Sequence, residues 1–139
     1  MAEVKKINLD QNPNALTSLA VDAVIVITHI RKQIDWLNEG IRCLDWSLGH
    51  QLRRAKDKLK DLPIFVPSMG KITSQYVILC FPMSEKRNLE ENCRNLSLKS
   101  LAIVADFGSV PEDWVQWETT DLDSIYVCDA VSQIGGNPI

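Results

Sequence analysis

Apolar and polar residues fall in blocks along this chain, and the period of the pattern changes from block to block. Residues 20–28 (AVDAVIVIT) are β-branched and almost wholly apolar in their second half, the composition of a strand buried on both faces. Beyond them Leu37, Ile41, Leu44, Leu48, Leu52, Ala55 and Leu59 recur at steps of three and four. That spacing predicts a single amphipathic helix of about six turns. Its polar face is expected to carry Glu39, Arg42, Asp45, Arg53, Lys56 and Lys60 into solvent. Asn38 suits the N-cap and Glu39 the first turn, while cations gather towards the C-terminal end, as the helix dipole prefers. Gly49 in mid-helix costs about 1 kcal/mol against alanine, so a neighbour packs close there or the helix bends.

Residues 62–66 and 72–81 read as two further strands. They are linked by Pro67-Ser68-Met69-Gly70, in which Gly70 is free to take a positive φ. Residues 84–95 form a short helix with Leu89, Cys93 and Leu96 on one side and Ser84 as its cap. Residues 98–107 are again a strand. Ser109-Val110-Pro111-Glu112 has capping-box spacing and opens a short helix bearing Trp114 and Trp117. Residues 4–9 and 124–131 are the first and last strands, with a turn at 11–14. Strands alternating with helices predict an α/β fold, a mixed β-sheet flanked by helices in three layers. The chain is expected to be a single domain over residues 1–133, with a flexible tail at 134–139 around Gly135-Gly136.

Composition narrows the class without naming a function. The 139 residues are 45% hydrophobic and 24% charged, ordinary for a globular domain. No apolar stretch nears the roughly 18 residues of a membrane span, and no apolar run follows Lys5 and Lys6 as a secretory signal requires. Cys43, Cys80, Cys93 and Cys128 are widely spaced in apolar surroundings and form no CxxC pair, which favours buried thiols and a cytoplasmic setting. Charge is unevenly placed. Residues 1–100 hold all 15 basic residues, whereas 101–139 hold seven acidic and no basic ones, within a net charge of −3. Such asymmetry either orients a partner or is neutralised within the molecule.

The candidate chemistry is sparse. His29 with Arg31 ends the second predicted strand, where α/β sheets collect ligands, but a structural histidine satisfies the pattern better. His50 stands in the helix beside Gly49. No metal-ligand spacing, phosphate-cradling glycine loop or nucleophile–base order is present, and Asp22, Asp45 and Asp106 form no acid/base pair by spacing. No catalytic residue, metal or cofactor is therefore expected. Arg53, Arg54, Lys56, Lys58 and Lys60 form one basic cluster, interleaved with Asp57 and Asp61 and without an aromatic platform. Trp114 and Trp117, three apart, are either an exposed partner anchor or the cover of a core edge.

The element order resembles the N-terminal domain of the leucyl aminopeptidase family of metallopeptidases over residues 20–83. The resemblance is carried by DAVIVITH, LDWSLGHQL and PIFVPSMGKITSQYVILCFP. In that family an Asp-led strand (Asp22 onwards) precedes a helix with a Leu-Asp…Leu-Gly signature (Leu44, Asp45, Leu48, Gly49). Phe81-Pro82 departs from the glycine that usually closes the next strand. The resemblance implies a macro-like fold and a stand-alone accessory domain, since the metal ligands and catalytic residues of the family lie in a separate domain. The expected function is a non-catalytic protein-interaction or assembly module, with a protein partner or self-association. The alternative is nucleic-acid or nucleotide-type ligand binding through the basic helix face. The surface expected to serve either is Trp114, Trp117, Arg53, Arg54, Lys56 and Lys60.

Overall fold

Six strands make one mixed sheet in a computed structural model that describes residues 3–28, 36–82, 86–106, 108–117 and 122–130. The elements run β1 (Glu3–Asn8), α1 (Ala15–Ser18), β2 (Ala23–Ile27), α2 (Glu39–Ser47), α3 (Gln51–Lys58), β3 (Ile64–Pro67) and β4 (Tyr76–Cys80). They continue with α4 (Lys86–Asn95), β5 (Ser100–Ala105), a 3₁₀ turn at Glu112–Val115, and β6 (Ser124–Asp129). The sheet order is β1-β6-β5-β2-β4-β3, and only the β3–β4 pair is antiparallel. This is the α/β fold with a flanked mixed sheet that the hydrophobic pattern predicts.

Strict alternation along the central strands builds the layers. Val24 and Val26 of β2, Val77 and Leu79 of β4, and Ala102 and Val104 of β5 face Leu16, Ile41, Leu44, Leu48 and Leu52 of the helical layer. Ala23, Ile25, Ile27, Ile78, Leu101 and Ile103 face Leu89 and Cys93 of α4 and Trp114 of the 3₁₀ turn. Both faces are therefore dry, which is why these strands read as unbroken apolar runs.

The predicted long helix is two helices. Asn38 caps α2 as expected, its side chain accepting from the Ile41 N–H at 3.1 Å. The helix then ends at Leu48, and Gly49 and His50 both take left-handed φ values of 66° and 63°. A Cβ at Gly49 would meet only the Lys71 Nζ, at 3.8 Å, so the glycine answers a backbone requirement and not a close approach. Asp45 restarts the chain. Its Oδ1 accepts from the Leu52 and Arg53 N–H groups at 2.9 and 3.2 Å, supplying the first turn of α3 with acceptors.

Other boundaries shift for local reasons. The capping box at Ser109 does not form: the turn starts at Glu112 behind Pro111 with no side-chain cap. Met69 and Gly70 both have positive φ, and the Lys71 N–H reaches the Ser68 carbonyl, as a type I′ turn requires. The expected Ser84 cap, His29 with Arg31, and the 134–139 tail lie outside the described residues.

Candidate functional site

Two of the six residues expected on the surface are buried. Lys56 is 1% exposed and Trp114 3%. Trp114 packs into the α4 side of the core, and the half-buried Trp117 donates its indole N–H to the Trp114 carbonyl at 2.8 Å. The Lys86 ammonium lies 5.7 Å from the Trp117 ring centre and bonds the Asp113 and Gln116 carbonyls, closing the 3₁₀ turn. The tryptophan pair thus covers a core edge. Arg53 is held by Asp45, Nε to Oδ2 at 2.9 Å, with His50 Nδ1 at 3.3 Å on the same oxygen. Arg54, Lys58 and Lys60 remain exposed.

A signal for the two buried charges of this helical pair was present in the spacing. Asp45 stands four residues after Ile41, and Lys56 four after Leu52, so each lies on the apolar stripe and not opposite it. Both then need partners, because an isolated buried charge is unfavourable by several kcal/mol. The three aspartates singled out from sequence each meet that need with backbone donors. Asp22 Oδ2 accepts from Lys99 and Ser100 N–H at 2.7 and 3.2 Å, joining the entries of β2 and β5. Asp45 restarts α3. Asp106 Oδ1 accepts from Leu37 and Asn38 N–H at 3.0 and 3.3 Å, fixing the entry to α2.

Lys56 and Asp106 meet at the C-terminal end of β5. Their Nζ and Oδ2 are 3.7 Å apart, and the ammonium sits 4.2 Å from the centre of the buried Trp36 ring. Burial pulls the Lys56 ammonium below the usual lysine range, against the attraction of Asp106. Burial likewise pushes the Asp106 carboxyl up, against the Asn38 N–H and the Lys56 charge. Neither Lys56 Nζ nor Asp106 Oδ2 makes a hydrogen bond among the described residues, and the same holds for Thr28 Oγ1 and Trp36 Nε1. Thr28 follows β2, and its own N–H is bonded to the Cys80 carbonyl. The chain leaves β2 towards β4 on one side and reaches β5 on the other, so these groups stand where strand order reverses. Sequence reading placed Lys56 in solvent and gave Asp106 no partner, so it missed this cluster.

The surface has its own features. Trp46, on the last turn of α2, is 74% exposed, and Met69, in the turn before β4, is 78% exposed. A cleft of about 510 Å³ lies beside the 11–14 turn, between Ile7 and α1. A second, of about 420 Å³, runs between α3 and β3 and is mostly apolar. Among the described residues, no three His, Cys, Asp or Glu side chains converge as a metal ion requires. No described helix is long and apolar enough to cross a membrane.

No protein-family model matches the sequence. No curated protein matches it either. Among solved structures, a mutant form of tomato leucine aminopeptidase matches with a TM-score of 0.57 at 9% identity, over 99% of this chain. The chain spans 34% of the length of that protein. Identity so low makes this a likeness of fold, and the fold of this chain is leucyl aminopeptidase-like.

Proposed function

We propose that this chain is a non-catalytic protein-interaction or assembly module of the cytoplasm, a counterpart of the leucyl aminopeptidase accessory domain. The observation that carries this reading is Trp46, a large apolar residue left 74% exposed on the outer face of α2 beside the exposed Glu39 and Arg42. Tryptophan is the side chain most enriched at interface hot spots, where truncation costs about 2 kcal/mol or more. The likeness of fold to leucine aminopeptidase supports comparison with that family's accessory domain. Lys56 and Asp106, oppositely charged and both buried, tie α3 to the residue that follows β5, and neither offers an accessible group for chemistry.

Light scattering measures the test directly. The wild-type chain is expected either to exceed the monomer mass or to hold a discrete partner in pull-downs, and Trp46→Ala is expected to abolish that association. A monomeric wild type whose pull-downs are unchanged by Trp46→Ala would end this reading.

The alternative, nucleic-acid or nucleotide-type binding through the basic helix, retains Arg54, Lys58 and Lys60 as exposed cations. Three phosphate contacts predict a log–log salt slope of about −3 on labelled duplex DNA. A flat or absent response removes it.

A further inference from the structure

We infer that the groove between α3 and β3 receives an extended acidic segment of a partner protein, which adds a strand to the sheet; this rests on the interaction reading above. Strand β3 ends the sheet order and pairs only with β4, so its outer edge carries no strand among the described residues. An exposed edge is a template for main-chain pairing, the basis of peptide recognition by strand addition. Beside that edge lies the cleft of about 420 Å³, floored by Ala55, Ile64, Val66 and Pro67 and rimmed by Arg54 and Lys58. The residues around it include two cations and no carboxylate.

Spacing specifies the occupant. Arg54 and Lys58 are one helical turn apart, a rise of about 6 Å. Residues i and i+2 of a strand share a face and are about 6.7 Å apart. Two acidic residues in an acid–apolar–acid order therefore present both carboxylates to the two cations. Glutamate fits better than aspartate, because its methylenes cover Ala55 and Ile64 while its carboxylate reaches the rim. The intervening apolar side chain points to the opposite face, beside the half-buried Phe65, which packs with the α4 layer. Only four residues of β3 are available, and Pro67 has no N–H to offer, so the contact is short.

The probe is the synthetic peptide acetyl-Ser-Glu-Val-Glu-Val-Ser-amide, titrated into isotope-labelled full-length protein while amide chemical shifts are followed. Saturable shifts at Ile64, Phe65, Val66 and along α3 are expected. They should weaken at least about tenfold at high salt or in the Arg54→Glu, Lys58→Glu double variant. Both positions are exposed, and circular dichroism checks that the variant keeps its fold. A peptide with lysine for glutamate should leave the shifts unmoved. Equal binding of both peptides, binding that ignores the charge reversal, or no saturable shift overturns the proposal. Concentration-dependent shifts of the same amides in the protein alone would give the groove to a second copy and also overturn it. A failed titration with Trp46-dependent association intact rejects only this groove; loss of both rejects the interaction reading as well.

Discussion

Lys56 and Asp106 are the residues on which the local energetics turn, because each is buried and each is the other's main charge. Removing one partner of such a pair leaves the other charged in a low-dielectric site and costs about 3–5 kcal/mol. Lys56→Met and Asp106→Asn should therefore each lower the urea midpoint, while the double variant loses less than the sum. The asparagine oxygen can still accept from Leu37 and Asn38, so the cycle isolates the charge pair from the backbone anchor. The pH dependence follows from the same shifts. Asp106 binds its proton more tightly folded than unfolded, so its contribution to stability falls as pH rises from the ordinary carboxylate range through its raised value. The difference in stability between wild type and Asp106→Asn should change across that window, from the ordinary carboxylate range upward, and be flat below it. Cysteine gives an independent check of burial. Cys93 and Cys128 are pushed up to about 12, and Cys80 higher still, each chiefly by desolvation. Cys43 is only half-buried. Alkylation of the native protein followed by mass spectrometry should label Cys43 alone, whereas the unfolded chain takes four labels.

The break between α2 and α3 shows how a sequence signature acquires a physical meaning. The Leu44-Asp45…Leu48-Gly49 pattern carried the family resemblance, and its four residues share one task. Leu44 and Leu48 are fully buried against the sheet, Gly49 permits the left-handed turn, and Asp45 caps the helix that follows. Gly49→Ala should cost about 1–2 kcal/mol through backbone strain alone, since there is room for the methyl group. Asp45→Ala should cost more than a simple cap, about 2 kcal/mol or above, because it frees two backbone donors and the Arg53 guanidinium. Thermal melts of both variants check the order. What was legible and what was not follows from the same segment. The apolar steps run unbroken from Ile41 to Leu59 because both helices lie on one face of the sheet, so periodicity reports burial and not continuity. The strands were legible because dry parallel strands have no polar face to confuse the pattern. The short α1 was not, being too brief for any period to show, whereas the 3₁₀ turn stands where a short helix was expected and lacks only the Ser109 cap. Lys56 and Asp45 defeat the rule that charge marks a solvent face, because their spacing from Leu52 and Ile41 places them inside.

At the scale of the whole molecule, the sheet belongs to both layers at once. Along β2, Val24 and Val26 hold the α2–α3 layer, while Ala23, Ile25 and Ile27 hold the α4 layer; β4 and β5 divide in the same way. Stripping either layer would wet one complete face of three central strands, so neither layer can melt alone without exposing much of the core. One cooperative unit over the described residues is the consequence, and two thiols report on it from opposite sides. Cys93 of α4 packs in one layer and Cys128 of β6 in the other, each fully or nearly fully buried. Pulsed alkylation in rising urea should therefore uncover both at one midpoint, coincident with the far-ultraviolet dichroism transition. If Cys93 becomes reactive at a lower urea concentration than Cys128, α4 separates before the sheet does, and the two layers are distinct units. The Lys56→Met variant sharpens the comparison, because it loosens only the α3 side. Its midpoint for Cys93 should fall together with that for Cys128, since a sheet shared by two layers transmits a loss on either face to both.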